Sequence, residues 1–161
     1  MSTTTVDNKA LTQRFFDALN EHDLDKVGDL LHPEVVMHAP AQEEPLRGRE
    51  EVLDFLKQVY AGLPDFKASV ETMIAEDDLV AVRFRTSGRQ DGNYFGIPPT
   101  GRAVGTHEIE IIRVVDGQAV EVWQELNILG VMQKLGVIPK KPLPKPILWT
   151  MVKLGRLSRR S

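Results

Sequence analysis

The spacing of apolar residues changes at Phe66, and this change is the feature that most constrains the fold. Before Phe66 the apolar residues recur at the helical period of about 3.6, whereas after it they alternate with polar residues, as in β-strands. A chain with helices first and strands afterwards, joined by short turns, is typical of an α+β protein. We therefore expect an α+β fold in which a curved antiparallel or mixed sheet wraps around the N-terminal helices.

The segment before Phe66 predicts three helices and one strand. Apolar residues spaced three and four apart indicate helices over Asn8–Glu21, Leu24–Leu31 and Arg49–Tyr60. The β-branched run in Glu34–Ala39 indicates a strand. Residues 41–48 are mostly polar and predict a loop.

The segment after Phe66 predicts an antiparallel meander. Strands are expected over Phe66–Ile74, Leu79–Thr86, His107–Arg113 and Val120–Asn127. The pair Asp116–Gly117 predicts a tight turn between the last two strands, because Asp-Gly tolerates the positive φ angles of hairpin turns. Residues 89–96 predict a loop that forms either a short hairpin or a lid.

Composition narrows the classes of function. The 161 residues include no cysteine, which excludes disulfides, thiol nucleophiles and cysteine metal sites. The four histidines lack the paired spacing of a zinc site, and the chain has neither a phosphate loop nor a dinucleotide fingerprint. We expect no metal and no cofactor.

The N-terminal residues have neither the basic segment nor the apolar stretch of a signal peptide. No apolar run approaches the roughly 20 residues that cross a bilayer. These two observations lead us to expect a cytoplasmic protein.

Positive charge is concentrated at the C-terminal end. From Lys140 onward the chain has seven basic residues and no acidic one, so the preceding part is strongly acidic, which argues against nucleic acid as a partner. We predict a domain over residues 1–139 and a basic tail over residues 140–161. The tail combines a proline-rich linker with an amphipathic helix over residues 147–160, which either packs on the protein or a second subunit, or contacts a membrane surface, the less favoured alternative.

Three motifs near the C-terminal end carry a family resemblance. Residues 96–101 read Gly-Ile-Pro-Pro-Thr-Gly, a strand with Trp123 follows, and residues 129–136 begin and end with Leu-Gly. This order resembles the SnoaL-like polyketide cyclases, or ester cyclases, of the nuclear-transport-factor-2-like superfamily. The resemblance implies a cone of sheet and helices around an apolar pocket, acid/base chemistry without a cofactor, and a homodimer.

Alternation along the last two predicted strands sorts their side chains onto two faces. Glu121, Trp123, Glu125 and Asn127 share one face, and His107 and Arg113 share one face of the preceding strand. The resemblance implies that the tryptophan face looks into the cone. A pocket lined by Trp123, His107 and Asn127 would suit a flat, partly oxygenated ligand.

Asn127 stands where the cyclases usually carry an aspartate. A carboxamide does not titrate usefully and cannot be the base of an aldol cyclisation. The remaining candidates for a catalytic base are Glu125, His38 and His107, each of which is also explained by a structural role.

The candidate ligand-binding residues are Trp123 and Asn127, together with Glu121, Arg83 and Arg113. The arginines are also explained by salt bridges in or at the rim of the sheet, and Glu121 by a solvated charge at the rim. Trp123 serves either as core or as an apolar ligand platform.

Three functions follow from this sequence. The first is a cofactor-free cyclase acting by acid/base chemistry on a hydrophobic, carbonyl-rich small molecule. The second is a non-catalytic protein that binds such a molecule, and the third is a related hydratase or hydroxylase.

Overall fold

The computed structural model describes residues 3–40 and 42–140, and it confirms the α+β class. In these ranges the chain forms four helices and six strands. Their order is α1 (Thr3–Glu21), α2 (Leu24–Leu30), β1 (Leu31–His38), β2 (Leu46–Arg47), α3 (Arg49–Gly62), β3 (Lys67–Glu76), β4 (Leu79–Arg89), β5 (Ala103–Val115), β6 (Gln118–Leu126) and α4 (Ile128–Leu135).

The strands form one sheet of mixed direction. Its spatial order is β2-β1-β6-β5-β4-β3, and neighbouring strands are antiparallel except for β1 and β6, which are parallel. The parallel pair brings the first strand of the chain beside the last one. His38 at the end of β1 thereby becomes the register partner of Trp123 in β6.

The sheet has an inner face that packs on the helices and an outer face that does not. On β4, Val80, Val82 and Phe84 are buried, whereas the alternating residues Arg83 and Arg85 are exposed. Phe84 meets Phe16 of α1 edge to face, with 4.8 Å between the ring centroids. Burial of each such side chain stabilises the fold by about 1.5–3 kcal/mol.

The predicted turn between the last two strands is confirmed. Asp116 and Gly117 both have positive φ angles, of 50° and 75°, as the twist of a tight hairpin requires. The turn places β5 and β6 side by side, with Ile111 opposite Trp123 and Glu110 opposite Gln124.

Two elements differ from the sequence-based expectation. Residues 41–48 were expected to form a loop, but Leu46–Arg47 pairs with β1 as β2. A strand of two residues is too short to show a period. Helix α4 was also not predicted, since its eight residues make only about two turns, too few to establish a helical period from the sequence.

The predicted domain boundary at residue 139 stays a prediction, and the predicted tail helix over residues 147–160 lies outside the described residues. Within the described part of the chain, no helix has both the length and the apolar character needed to cross a membrane.

Candidate active site

A cavity of about 80 Å³ lies between the inner face of the sheet and helices α1, α3 and α4. Most of its wall is apolar. Its polar side chains come mainly from three strands and one loop, and they are Thr86 of β4, Thr106, Glu108 and Glu110 of β5, Gln124 of β6, and Tyr94. Small-molecule sites commonly combine an apolar wall with a few convergent polar groups.

Glu108 and Glu110 point from β5 into this cavity. Only 6% of Glu108 and 5% of Glu110 is exposed, although carboxylates are rarely buried. Their register partners on β4 are the apolar Phe84 and Val82. The alternation of β5 therefore places two acidic residues where a hydrophobic core would otherwise continue.

Two hydrogen bonds hold the Glu108 carboxyl group. The Thr86 hydroxyl donates to Glu108 Oε1 at 2.7 Å, and the Gln124 Nε2 group donates to Glu108 Oε2 at 2.9 Å. Burial raises the pKa of Glu108 to about 6, although both hydrogen bonds oppose the rise by stabilising the ionised form. A carboxyl group in this range is suited to general acid/base catalysis near neutral pH.

Glu110 lies in a more apolar environment than Glu108. Burial raises the pKa of Glu110 to about 8, and the neighbouring charge of Glu108 adds to the rise. Glu110 is therefore mostly neutral at pH 7, whereas Glu108 is mostly ionised. Two carboxyl groups with separated pKa values are a recurring feature of acid/base active sites.

The loop over residues 90–102 closes one side of the cavity. Gln90 is fully buried, and its side-chain amide donates to the carbonyls of Gly92, Ile97 and Pro98, each at 3.0 Å. Its Oε1 accepts hydrogen bonds from the backbone N–H and the hydroxyl of Thr100. This anchoring makes the loop a fixed wall.

Tyr94 reaches the cavity from this loop. Burial raises the pKa of the Tyr94 phenol to about 12, and the charge of Glu108 contributes to the rise. The phenol thus remains protonated at neutral pH and is available as a hydrogen-bond donor to a ligand.

The expected orientation of β6 is wrong. Glu121, Trp123 and Glu125 do share one face, as alternation predicts, but this is the outer face of the sheet, and none of the three lines the cavity. The inner face of β6 instead carries Val122, Gln124 and Leu126. The helices cover that side because β4 and β6 both present apolar residues there.

Trp123 belongs to a cluster on the outer face. The His38 ring stacks on it with 5.7 Å between centroids, and the Arg113 guanidinium lies 5.2 Å from the Trp123 ring centroid. Glu121 contacts both side chains, with 3.0 Å between His38 Nε2 and Glu121 Oε1 and 2.9 Å between Arg113 Nη1 and Glu121 Oε2. These contacts show that the four side chains stabilise one another on the outer face, away from the interior cavity.

The other candidates from the sequence also lie on the outer face. Arg83 and His107 both pair with Glu71, with 3.3 Å between His107 Nε2 and Glu71 Oε1. Glu125 is exposed. None of the three candidates lines the interior cavity, and their catalytic or binding roles stay predictions.

Asn127 caps helix α4. Its Oδ1 atom accepts a hydrogen bond from the backbone N–H of Gly130 at 2.9 Å. Asparagine and aspartate are about equally favourable at this position, so an aspartate here would serve the same local role. The predicted contact of Asn127 with the interior pocket is wrong. Having asparagine and not aspartate at this position therefore does not argue against acid/base chemistry in that pocket.

Sequence reasoning missed Glu108, Glu110, Gln124 and Tyr94. A usable signal was present in the middle of β4, where apolar and basic residues alternate over Val82–Arg85. Pairing this strand with β5 puts Glu108 and Glu110 on the same face as Val82 and Phe84. That step identifies the face that looks into the core.

Metal ligands are not grouped in the described ranges. Within residues 3–40 and 42–140, no set of three or more His, Asp or Glu side chains is placed to hold a metal ion.

Comparisons with known proteins agree with this fold. A family model for SnoaL-like polyketide cyclases matches residues 10–135. The aklanonic acid methyl ester cyclase DnrD of Streptomyces peucetius is 30% identical over 145 residues, which cover 86% of this chain and 94% of DnrD. The corresponding cyclase DauD of Streptomyces sp. (strain C5) is 29% identical over 145 residues, covering 86% of this chain and 85% of DauD.

Solved structures extend the agreement. AclR, a proposed hydroxylase from Streptomyces galilaeus, has a TM-score of 0.75 at 27% identity, with 96% of each chain covered. A proposed SnoaL-like polyketide cyclase from Jannaschia sp. CCS1 has a TM-score of 0.79 at 25% identity, covering 86% of this chain and 98% of the other. With the family model matching most of its length, this chain belongs to the SnoaL-like polyketide cyclase family.

Proposed function

We propose that the protein is a cyclase-type enzyme that performs cofactor-free acid/base chemistry on a hydrophobic, carbonyl-rich small molecule in the interior cavity. The observation that supports this most is Glu108, a buried carboxyl group with a pKa raised to about 6 in a largely apolar wall. A base of this kind retains its proton affinity because water does not solvate it fully.

The proposed reaction is an intramolecular aldol closure. The Glu108 carboxylate removes a proton from a carbon that lies between two carbonyl groups of the ligand. The resulting enolate attacks another carbonyl of the same molecule and forms an alkoxide. Protonated Glu108 then returns the proton to this alkoxide, while Tyr94 donates a hydrogen bond to oxygen as negative charge develops.

The cavity limits how a ligand is placed. A volume of about 80 Å³ holds the reacting end of a ligand and not a system of several fused rings. The remainder of the ligand therefore has to extend toward solvent. We propose that the carbonyl-rich end enters first and the bulk of the ligand remains near the opening.

The names of the curated relatives suggest the first compound to assay. Incubation with aklanonic acid methyl ester is expected to give a product of unchanged mass, because an aldol closure only isomerises the molecule. Chromatography with mass spectrometry measures this product. Saturable binding without any enzyme-dependent product would instead support the second candidate, a non-catalytic binding protein.

A hydratase or hydroxylase is the third candidate, and the likeness to AclR over 96% of both chains favours keeping it. Removal of a proton by Glu108 is compatible with this chemistry as well. The same mass measurement separates the candidates, because hydration adds the mass of water and hydroxylation adds an oxygen atom.

We also propose that the protein forms a homodimer through the outer face of the sheet. Register partners across five strands place Ile74, Ala81, Ile111, Trp123 and His38 in one row. Ile74 is 63% exposed and Ile111 is 40% exposed. The adjacent rows contain charges of both signs, so a second copy covers the apolar row without bringing together a block of like charges.

Ile111→Glu tests this interface. We expect the wild-type protein to have the mass of two chains by light scattering and the variant to have the mass of one, because the new charge would be buried between two subunits. Leu129→Glu is the matched control, since Leu129 is 52% exposed on α4, away from the row. A wild-type protein that stays monomeric at high concentration would contradict the proposal.

A further inference from the structure

Two buried oxygen atoms beside Glu108 lack hydrogen-bond donors. Glu110 Oε2 and Gln124 Oε1 are both buried, and neither has a partner in the part of the chain that the structure describes. Leaving a buried acceptor unsatisfied costs about 1–3 kcal/mol. Two such atoms at one site therefore need a physical explanation.

The positions of the two oxygen atoms suggest that a single hydrogen bond between Glu110 and Gln124 satisfies both. Glu110 and Gln124 are register partners on β5 and β6, and both side chains point into the cavity. Cβ atoms of such partners lie about 4.5–5.5 Å apart, within reach of side chains of this length. A proton on Glu110 would turn its carboxyl group into a donor, and a single O–H group would satisfy both residues.

We propose that Glu110 keeps its proton in the folded protein and donates it in a hydrogen bond to Gln124 Oε1. This bond fixes the orientation of the Gln124 amide. Its Nε2 group then points to Glu108 Oε2, where it donates the observed hydrogen bond of 2.9 Å. Glu110 is thus a positioning residue for Glu108, an inference whose catalytic consequence rests on the proposed function.

The surroundings of Glu110 support a neutral carboxyl group. The titratable side chains that line the cavity are Glu108, Glu110 and Tyr94, supplied by β5 and the loop over residues 90–102. The other elements around the cavity contribute only uncharged side chains. No cation lines this cavity in the described ranges, and the carboxylate of Glu108 disfavours a second negative charge beside it.

Ionisation of Glu110 would reverse the arrangement. Its carboxylate would then face Gln124 Oε1 as a second acceptor. Rotation of the Gln124 amide would direct the N–H groups to Glu110 and the oxygen to Glu108. Glu108 would keep only the Thr86 hydroxyl as a donor, which raises its proton affinity.

Carbon-13 NMR of protein labelled at the glutamate carboxyl carbons tests the protonation state. Signals of Glu108 and Glu110 are assigned by their loss in the variants Glu108→Gln and Glu110→Gln. We expect the Glu110 carboxyl signal of the wild-type protein to show the neutral form at pH 7. An ionised Glu110 at that pH would overturn the proposal.

Two substitutions of Glu110 test its effect on Glu108. Glu110→Gln retains a donor to Gln124 Oε1 and is expected to leave the titration midpoint of Glu108 unchanged. Glu110→Met has similar length but no donor, and is expected to raise that midpoint by about half a pH unit or more. If the titration midpoint of Glu108 is the same in Glu110→Gln and Glu110→Met, whether or not it differs from the wild-type value, the positioning role is contradicted. If Glu110→Met does not fold, a shifted midpoint in Glu110→Gln also overturns it.

These NMR measurements need no substrate. A failure of the proposed enzymatic function would therefore leave them unaffected. Conversely, an active enzyme with an ionised Glu110 at pH 7 would reject the positioning role and retain the proposed function.

Discussion

Glu108→Gln is expected to lower the turnover of the cyclisation by roughly 10²-fold to 10⁴-fold, the range for loss of a general base. The amide has nearly the same shape as the carboxyl group and can still accept a hydrogen bond from Thr86. It cannot take up a proton from carbon at any accessible pH. The measurement is the initial rate of product formation at saturating ligand, with ligand affinity determined separately.

Glu125→Gln makes the same chemical change on the exposed face of the neighbouring strand. Because Glu125 does not line the cavity, we expect this variant to retain the wild-type turnover. The pair of variants thus distinguishes the interior site from the one predicted from the sequence. Loss of turnover in Glu125→Gln with activity retained in Glu108→Gln would show that the interior assignment is wrong.

Glu110 should make the stability of the protein fall with rising pH. Its pKa is raised to about 8 by burial, from an ordinary value of 4.5 that it regains on unfolding. Because the pKa is raised in the folded state, the contribution of the protonated group to the free energy of unfolding is fully present only below about pH 4.5. It is lost progressively as the pH rises from there toward 8. Each pH unit in this window costs about 1.4 kcal/mol.

The variant Glu110→Gln removes this proton linkage. Between about pH 6.5 and pH 8, we expect the free energy of unfolding of the wild-type protein to fall by roughly 2 kcal/mol more than that of Glu110→Gln. Glu108 titrates mainly below this window, since its pKa is about 6. Denaturant titrations at several pH values measure the difference.

Glu44→Gln, at an exposed glutamate outside the sheet, serves as the control, and its curve should run parallel to that of the wild-type protein. Parallel curves for the wild-type protein and Glu110→Gln would mean that Glu110 is already ionised in the folded state at pH 6.5.

Much of the fold follows from local patterns in the sequence. The helices α1–α3 have clear apolar stripes, and β3–β6 alternate strongly, so their existence was predictable from residues close together in the chain. The parallel pairing of β1 with β6 was not, because it joins distant segments and leaves no mark on local spacing. The same holds for β2, a strand of only two residues.

The site was predictable only in part, for a physical reason. Alternation sorts residues into two sets but does not say which set faces the helices. The family resemblance suggested that Trp123 faces the interior, yet it lies on the outer face, where it contacts His38 and Arg113. Glu108 and Glu110 are acidic, a property more typical of exposed residues, yet their neighbours on β4 place them in the core.

A crystal structure of the protein with a bound carbonyl-rich aromatic ligand tests the account most directly. We predict that a ligand carbonyl group lies within hydrogen-bond distance of Tyr94 and that an acidic carbon of the ligand lies against the Glu108 carboxylate. A ligand that binds instead on the outer face, against Trp123 and His38, would contradict the assignment of the interior cavity as the active site.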